Sequence, residues 1–169
     1  MKNLLFLFSF LFLGNLHAQQ KHNTVVVLDA QKIGFYNEVE NQIKALKSEG
    51  ISTVTVLKDT TITKGYGSDH GVIIITTKKY ILNTFFRDFI EKSTLKEKIK
   101  TPDDLKIIGV VTDKPNSKNK PYDELSKYIF TNTITEKIKK VVSIIYIKPK
   151  DAVKINPDWI NGAIEISSE

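Results

Sequence analysis

The chain has 169 residues, 41% of them hydrophobic and 26% charged, which is room for one domain or two small ones around a modest core. It contains no cysteine, which excludes disulfides, thiolate zinc sites, cysteine nucleophiles and a lipid-bearing N-terminal cysteine. The net charge of +6 rests on 25 basic residues, among which Arg87 is the single arginine. A lysine surface lacks the forked guanidinium that reads bases and phosphates, so nucleic acid is not an expected partner.

Lys2 precedes an apolar run from Leu4 to Leu13, and Gly14–Gln19 follows with Ala18 as the small residue. This is the layout of a secretory signal, with cleavage expected after Ala18. The run is shorter than the ~20 residues that cross a bilayer, so no transmembrane span is expected once residues 1–18 are removed. The expected location is the periplasm, with secretion or outer-membrane association as variants of the same export.

The remainder repeats itself with a period of about 90 residues. Val25-Val26-Val27-Leu28-Asp29 matches Gly109-Val110-Val111-Thr112-Asp113, and Tyr36, Val39 and Ile43 match Tyr122, Leu125 and Ile129. Ile51 to Lys58 then matches Val141 to Lys148, and Gly71 to Thr76 matches Gly162 to Ser167. Each unit reads as strand, helix, strand, strand. The first helix is expected to start with Asn37 and Glu40 as a capping pair and to bury Val39, Ile43 and Leu46. Its counterpart starts after Pro121. Alternation in the last strands assigns Ile73, Ile75, Ile164 and Ile166 to the core, and Ile74 and Glu165 to the outside. Val54 and Val56, with Ile144 and Tyr146, take the core side of the preceding strands by the same logic.

The expected fold is α+β: a first unit over residues 19–80, a helical connector over 81–104 and a second unit over 105–169. The connector carries Leu82, Phe85, Phe86, Phe89 and Ile90 at helical spacing, a stripe expected to be core. Turns rich in Gly, Pro, Asn and Asp join the last two strands of each unit, at Lys64–Asp69 and Asn156–Asn161. One large aromatic stands in each, Tyr66 and Trp159.

The run from Ile51 to Lys79 resembles the plug domain of TonB-dependent outer-membrane receptors, in its Bacteroidetes form. The residues that carry the resemblance are Ile51, Val54, Val56, Leu57, Lys58 and Asp59, then Tyr66, Gly67 and Ser68, then Gly71, Val72, Ile73, Ile75, Thr77 and Lys78. It spans Val25 to Tyr80 and weakens in the second unit, where Pro149 replaces the acidic residue and the Tyr-Gly-Ser step is absent. A receptor also carries a long C-terminal β-barrel, and none follows Glu169. The resemblance therefore implies a plug-like fold unit and an envelope setting, not transport by this chain.

Catalytic constellations are absent from the sequence. Beyond the signal the histidines are His22 and His70, and neither has a second histidine or a cysteine placed to complete a metal site. Gly65-Tyr66-Gly67 lacks the third glycine and the strand-to-helix setting of a dinucleotide loop. No catalytic residue, cofactor or metal is expected, and the chain is not expected to be an enzyme. The expected function is a non-enzymatic plug-like interaction module that binds another envelope protein, such as an outer-membrane receptor or a membrane peptidase. Contact is expected through an open strand edge or through the turns, with Tyr66, Gly67, Ser68, Asp69, His70 and Trp159 as candidates. The alternatives are a periplasmic binder of small ligands, with a groove lined by Phe85, Phe86 and Phe89, and a degenerate remnant of a receptor.

Overall fold

The computed structural model describes residues 24–111, 121–132 and 138–169. The signal segment, His22 and the lysines at 114, 118 and 120 lie outside the described residues. Strand β1, Val25–Leu28, opens with three valines that are wholly buried. It turns at Asp29 and Ala30, with φ of 51° and 64°, into β2, Gln31–Phe35. Positive φ at both central residues is the pattern of a type I′ hairpin. The expected order of strand, helix, strand, strand lacks β2, because the Asn-Gly that usually announces such a turn is here Asp-Ala. The Asp29 carboxylate helps fix the turn. It accepts hydrogen bonds from the Thr77 backbone N–H at 2.7 Å and the Thr77 hydroxyl at 2.8 Å.

Helix α1, Tyr36–Lys44, begins one residue earlier than the expected cap. Asn37 lies inside it, and the Glu38 carboxylate instead accepts from the Phe35 N–H at 3.0 Å. Val39, Ile43 and Leu46 are only half-buried, so the helix is peripheral. Strand β3, Ile51–Leu57, leads to a short helix α2, Thr60–Gly65, capped by Asp59, whose carboxylate accepts from the Thr61 N–H at 2.8 Å. Lys64 and Gly65 thus belong to a helix rather than to the turn, which follows it and leads to β4, Val72–Thr77. The first sheet runs β2-β1-β4-β3, with β1 parallel and β3 antiparallel to β4.

The second sheet joins β5, Gly109–Val111, β6, Val141–Ile147, and β7, Ala163–Ser168, in the order β5-β7-β6. Its pairing reproduces the first. Val25 pairs with Val72 as Gly109 pairs with Ala163, and Val56 pairs with Ile73 as Tyr146 pairs with Ile164. Even the bulge recurs, between Ile51 and Thr53 and between Val141 and Ser143. A bulge at the same step of two equivalent strands is a specified feature of a strand pair, and the sequence repeat is therefore a structural repeat. The place that corresponds to β2 in the second unit lies outside the described residues. A helix α4, Pro121–Leu125, precedes β6, and α5, Pro149–Ile155, fills the place of α2.

Helix α3, Lys78–Phe85, connects the units and widens into a π-helical turn over Phe86–Ile90. Its cap is Thr77, whose hydroxyl accepts from the Tyr80 N–H at 3.1 Å. Ile81, Leu82, Phe85, Phe86 and Ile90 are buried together with Leu105, Val110, Leu125, Ile129 and Ile164, and Ile144, Tyr146 and Ile166 pack against them. The connector is thus the centre of the main core. A smaller cluster of Val25, Val27, Leu57, Val72 and Ile74 lies on the first sheet under Phe35, Ile62 and Tyr66.

The assignment of faces holds in the second unit and only in part in the first, where Ile75 is buried as expected. Ile164 is buried and Glu165 exposed as expected, but Ile74 is buried to 1% exposure while Ile73 is half-buried. Val54 and Val56 are 55% and 56% exposed rather than core. The physical reason is that the first sheet is covered on both faces, but unevenly. Ile62 of α2 and Tyr66 cover the face of Val72 and Ile74. The opposite face is buried at Val26 and Ile75 and left bare along β3. Among the described residues no helix is long and apolar enough to cross a membrane.

Candidate interaction surface

Edge strands expose unpaired backbone donors and acceptors, and proteins usually blunt them with lysine, proline or a short length. Strands β3 and β6 stand at the edges of their sheets, and each is seven residues long. Their sequences, ISTVTVL and VVSIIYI, contain no charge and no proline. Each is dominated by β-branched and aromatic residues, which favour pleated, half-covered surfaces. On β6, Val142 and Ile145 are exposed at 63% and 56%.

The repeat makes β3 the more informative of the two. Val54 and Val56 occupy the positions of Ile144 and Tyr146, which pack against the main core. In the second unit that face is sealed by the connector and its neighbours. In the first unit the same face ends in an apolar strip of Val54, Val56 and half-buried Ile73.

The turn residues singled out in the sequence are turned largely toward their own sheets. Tyr66 is half-buried against the smaller cluster, and its hydroxyl donates to the Asn132 carbonyl at 3.3 Å. Burial pushes its pKa above the ordinary tyrosine value. The Lys32 ammonium donates to the Tyr66 carbonyl at 2.8 Å. Gly67 takes φ of 71°, a conformation that favours glycine. Ser68 is buried, its hydroxyl donating to the Gly71 carbonyl at 2.5 Å and accepting from the Gly71 N–H at 3.1 Å. Asp69 and His70 are exposed.

Trp159 sits in the equivalent turn of the second sheet, half-buried on the backbone of Gly109, where an added Cβ would lie 2.1 Å from the ring. The two turns therefore do the same job with different volumes. Tyr66 covers the cluster that contains Val25 and Val72, and the larger Trp159 covers the smaller Gly109 beside Ala163.

The phenylalanines of the expected groove are packed in the core: Phe85 is wholly buried, Phe86 is 7% exposed and Phe89 packs on Phe85 with ring centroids 4.9 Å apart. Among the described residues no three His, Cys, Asp or Glu side chains gather as a metal site. Comparisons of the chain with protein-family models, with curated proteins and with solved structures give no match.

What the sequence reading missed is the bare strip on β3. The reason is that Thr53 and Thr55 alternate with Val54 and Val56, a pattern that ordinarily marks the valines as the buried side.

Proposed function

We propose that this chain is an exported, non-enzymatic interaction module of the cell envelope that binds an extended segment of another envelope protein along β3. The observation that carries the reading is the exposure of Val54 and Val56 on an uncharged edge strand, at positions where the repeated unit has packed residues. An added strand supplies main-chain hydrogen bonds to the open edge, and its side chains cover the valine strip. The signal-like N-terminus and the plug-like motif from Ile51 to Lys79 support the envelope setting.

The test is site-specific photo-crosslinking in cells, with the probe at Thr53 on β3 and, as a control, at exposed Lys47 before it. The reading predicts a discrete adduct with an envelope protein from Thr53 and none from Lys47. Val54→Lys with Val56→Lys abolishes the Thr53 adduct, because lysines on an edge oppose strand addition. Adducts that persist in that variant, or that form equally from Lys47, overturn it.

A further inference from the structure

We propose that the open edge of β6 binds an extended apolar segment of a partner protein that carries acidic residues at both ends. β6 is the outer strand of the second sheet, and Val142 and Ile145 on it are 63% and 56% exposed. Val142 stands at the bulge between Val141 and Ser143, and from Ser143 to Ile147 the pairing with β7 is regular. An edge strand leaves the backbone donors and acceptors of its outer side unpaired. Over Ser143–Ile147 they recur at the spacing that an added strand needs.

Lysines bracket this edge. Lys139 and Lys140 precede it, Lys148 and Lys150 follow it, and all four are exposed. Lys140 pairs with the Glu169 carboxylate in an exposed contact, and such pairs contribute little stability. At the other end Lys148, Lys150 and Lys154 all act on one carboxylate, that of Asp151. Lys154 donates to it at 2.8 Å. That contact, with the charges of Lys150 and Lys148 behind it, holds Asp151 below the ordinary carboxylate value. Each end of the edge thus presents more lysine than its ion pair consumes.

The lysines decide the occupant. A second copy of this chain pairing antiparallel about Ile144 would set Lys140 opposite Lys148. Parallel pairing in register would set each lysine beside its own counterpart. Like charges placed opposite each other destabilise a strand pair, so the edge rejects itself. An acidic residue at each end of the partner meets these lysines instead. The partner's centre is uncharged, because Ile145 pairs with Glu165, whose exposed carboxylate repels an acid there. The first unit lacks the pattern: β3 is bracketed by Glu49 on one side and by Lys58 and Asp59 on the other. The β6 edge is thus a second surface with its own partner chemistry, independent of binding along β3.

The test is fluorescence anisotropy of the purified protein with the labelled peptide Asp-Asp-Val-Thr-Val-Thr-Val-Asp-Asp. One control peptide carries lysine in place of every aspartate, and the other has the same residues with the aspartates moved to its centre. The proposal predicts saturable binding of the first peptide, about tenfold or more tighter than either control and weakened by added sodium chloride. Ile145→Glu abolishes it, and Lys148→Glu with Lys150→Glu weakens it by about tenfold or more. These side chains are exposed, so the variants keep the fold, as circular dichroism would verify. Amide exchange with the peptide bound shows protection over Val141–Ile147 and none over Ile51–Leu57. Val54→Lys with Val56→Lys leaves the peptide's affinity unchanged, so the two edges stand or fail separately. No saturable binding, equal binding of the acidic and lysine peptides, binding untouched by Ile145→Glu, or protection along β3 instead overturns the proposal. So does a dimer of the free protein in sedimentation that Ile145→Glu dissolves, because a second copy would then hold the edge.

Discussion

Gly109→Ala adds one methyl group beneath the Trp159 ring. The new Cβ would stand 2.1, 2.4 and 2.5 Å from three ring carbons, where carbon contacts are optimal at about 3.5–4.0 Å. The ring must retreat by about 1 Å or more, or β5 must move off β7. Overpacking of this kind costs about 1–3 kcal/mol. Complete loss of the ring's packing bounds the effect at about 3–5 kcal/mol. We expect about 2–3 kcal/mol, and a melting temperature lower by roughly 4–10 °C for a domain of this size. Urea unfolding reports it directly, because Trp159 is the only tryptophan in the chain and its emission should shift to the red in the folded variant. In a Trp159→Ala background the same substitution should cost under about 0.5 kcal/mol, since the clash is gone. A loss below about 0.5 kcal/mol in the parent, with unchanged emission, would refute the packing argument.

Three further outcomes are expected. Phe85→Ala removes a wholly buried ring from the main core and should cost about 3–5 kcal/mol in urea titration, with a loss under about 1.5 kcal/mol arguing against the connector as the core's centre. Gly162→Ala meets both a φ of 92° and a Cβ position 2.8 Å from the Ile147 carbonyl, so it should destabilise by about 2–4 kcal/mol; a neutral result would contradict the turn geometry before β7. The raised pKa of Tyr66 means that the folded state favours the neutral phenol. Its contribution is therefore complete below the unfolded-state value of about 10 and is lost as pH rises through the folded-state value. Urea midpoints measured from pH 9 upward should fall more steeply for the parent than for Tyr66→Phe, and parallel curves would contradict the assignment.

Much of the architecture is legible in the sequence because duplication leaves two imperfect copies to compare. The correspondence of Ile51–Lys58 with Val141–Lys148 and of Gly71–Thr76 with Gly162–Ser167 could be read from matched residues alone, and so could the packed stripe of Phe85, Phe86 and Ile90. The hairpin at Asp29–Ala30 could not, because its geometry is held by Thr77, 48 residues away, rather than by a local turn signature. The misassigned residues Val54, Val56 and Ile74 have a related cause. Periodicity shows that Val54 and Ile74 lie on opposite faces, but which face is sealed depends on where α2 and Tyr66 fold back. The repeat suggested that equivalent faces share a fate, and it is where they do not that the candidate surface lies.

Amide hydrogen exchange tests the central claim most directly, using a peptide from whichever envelope protein the Thr53 probe captures. With that peptide bound, the amides of Ile51–Leu57 should gain protection, while those of Lys78–Phe85 and of the Tyr66 turn stay as they were. Protection at the turn or along α3, with β3 unchanged, would contradict strand addition as the mode of binding.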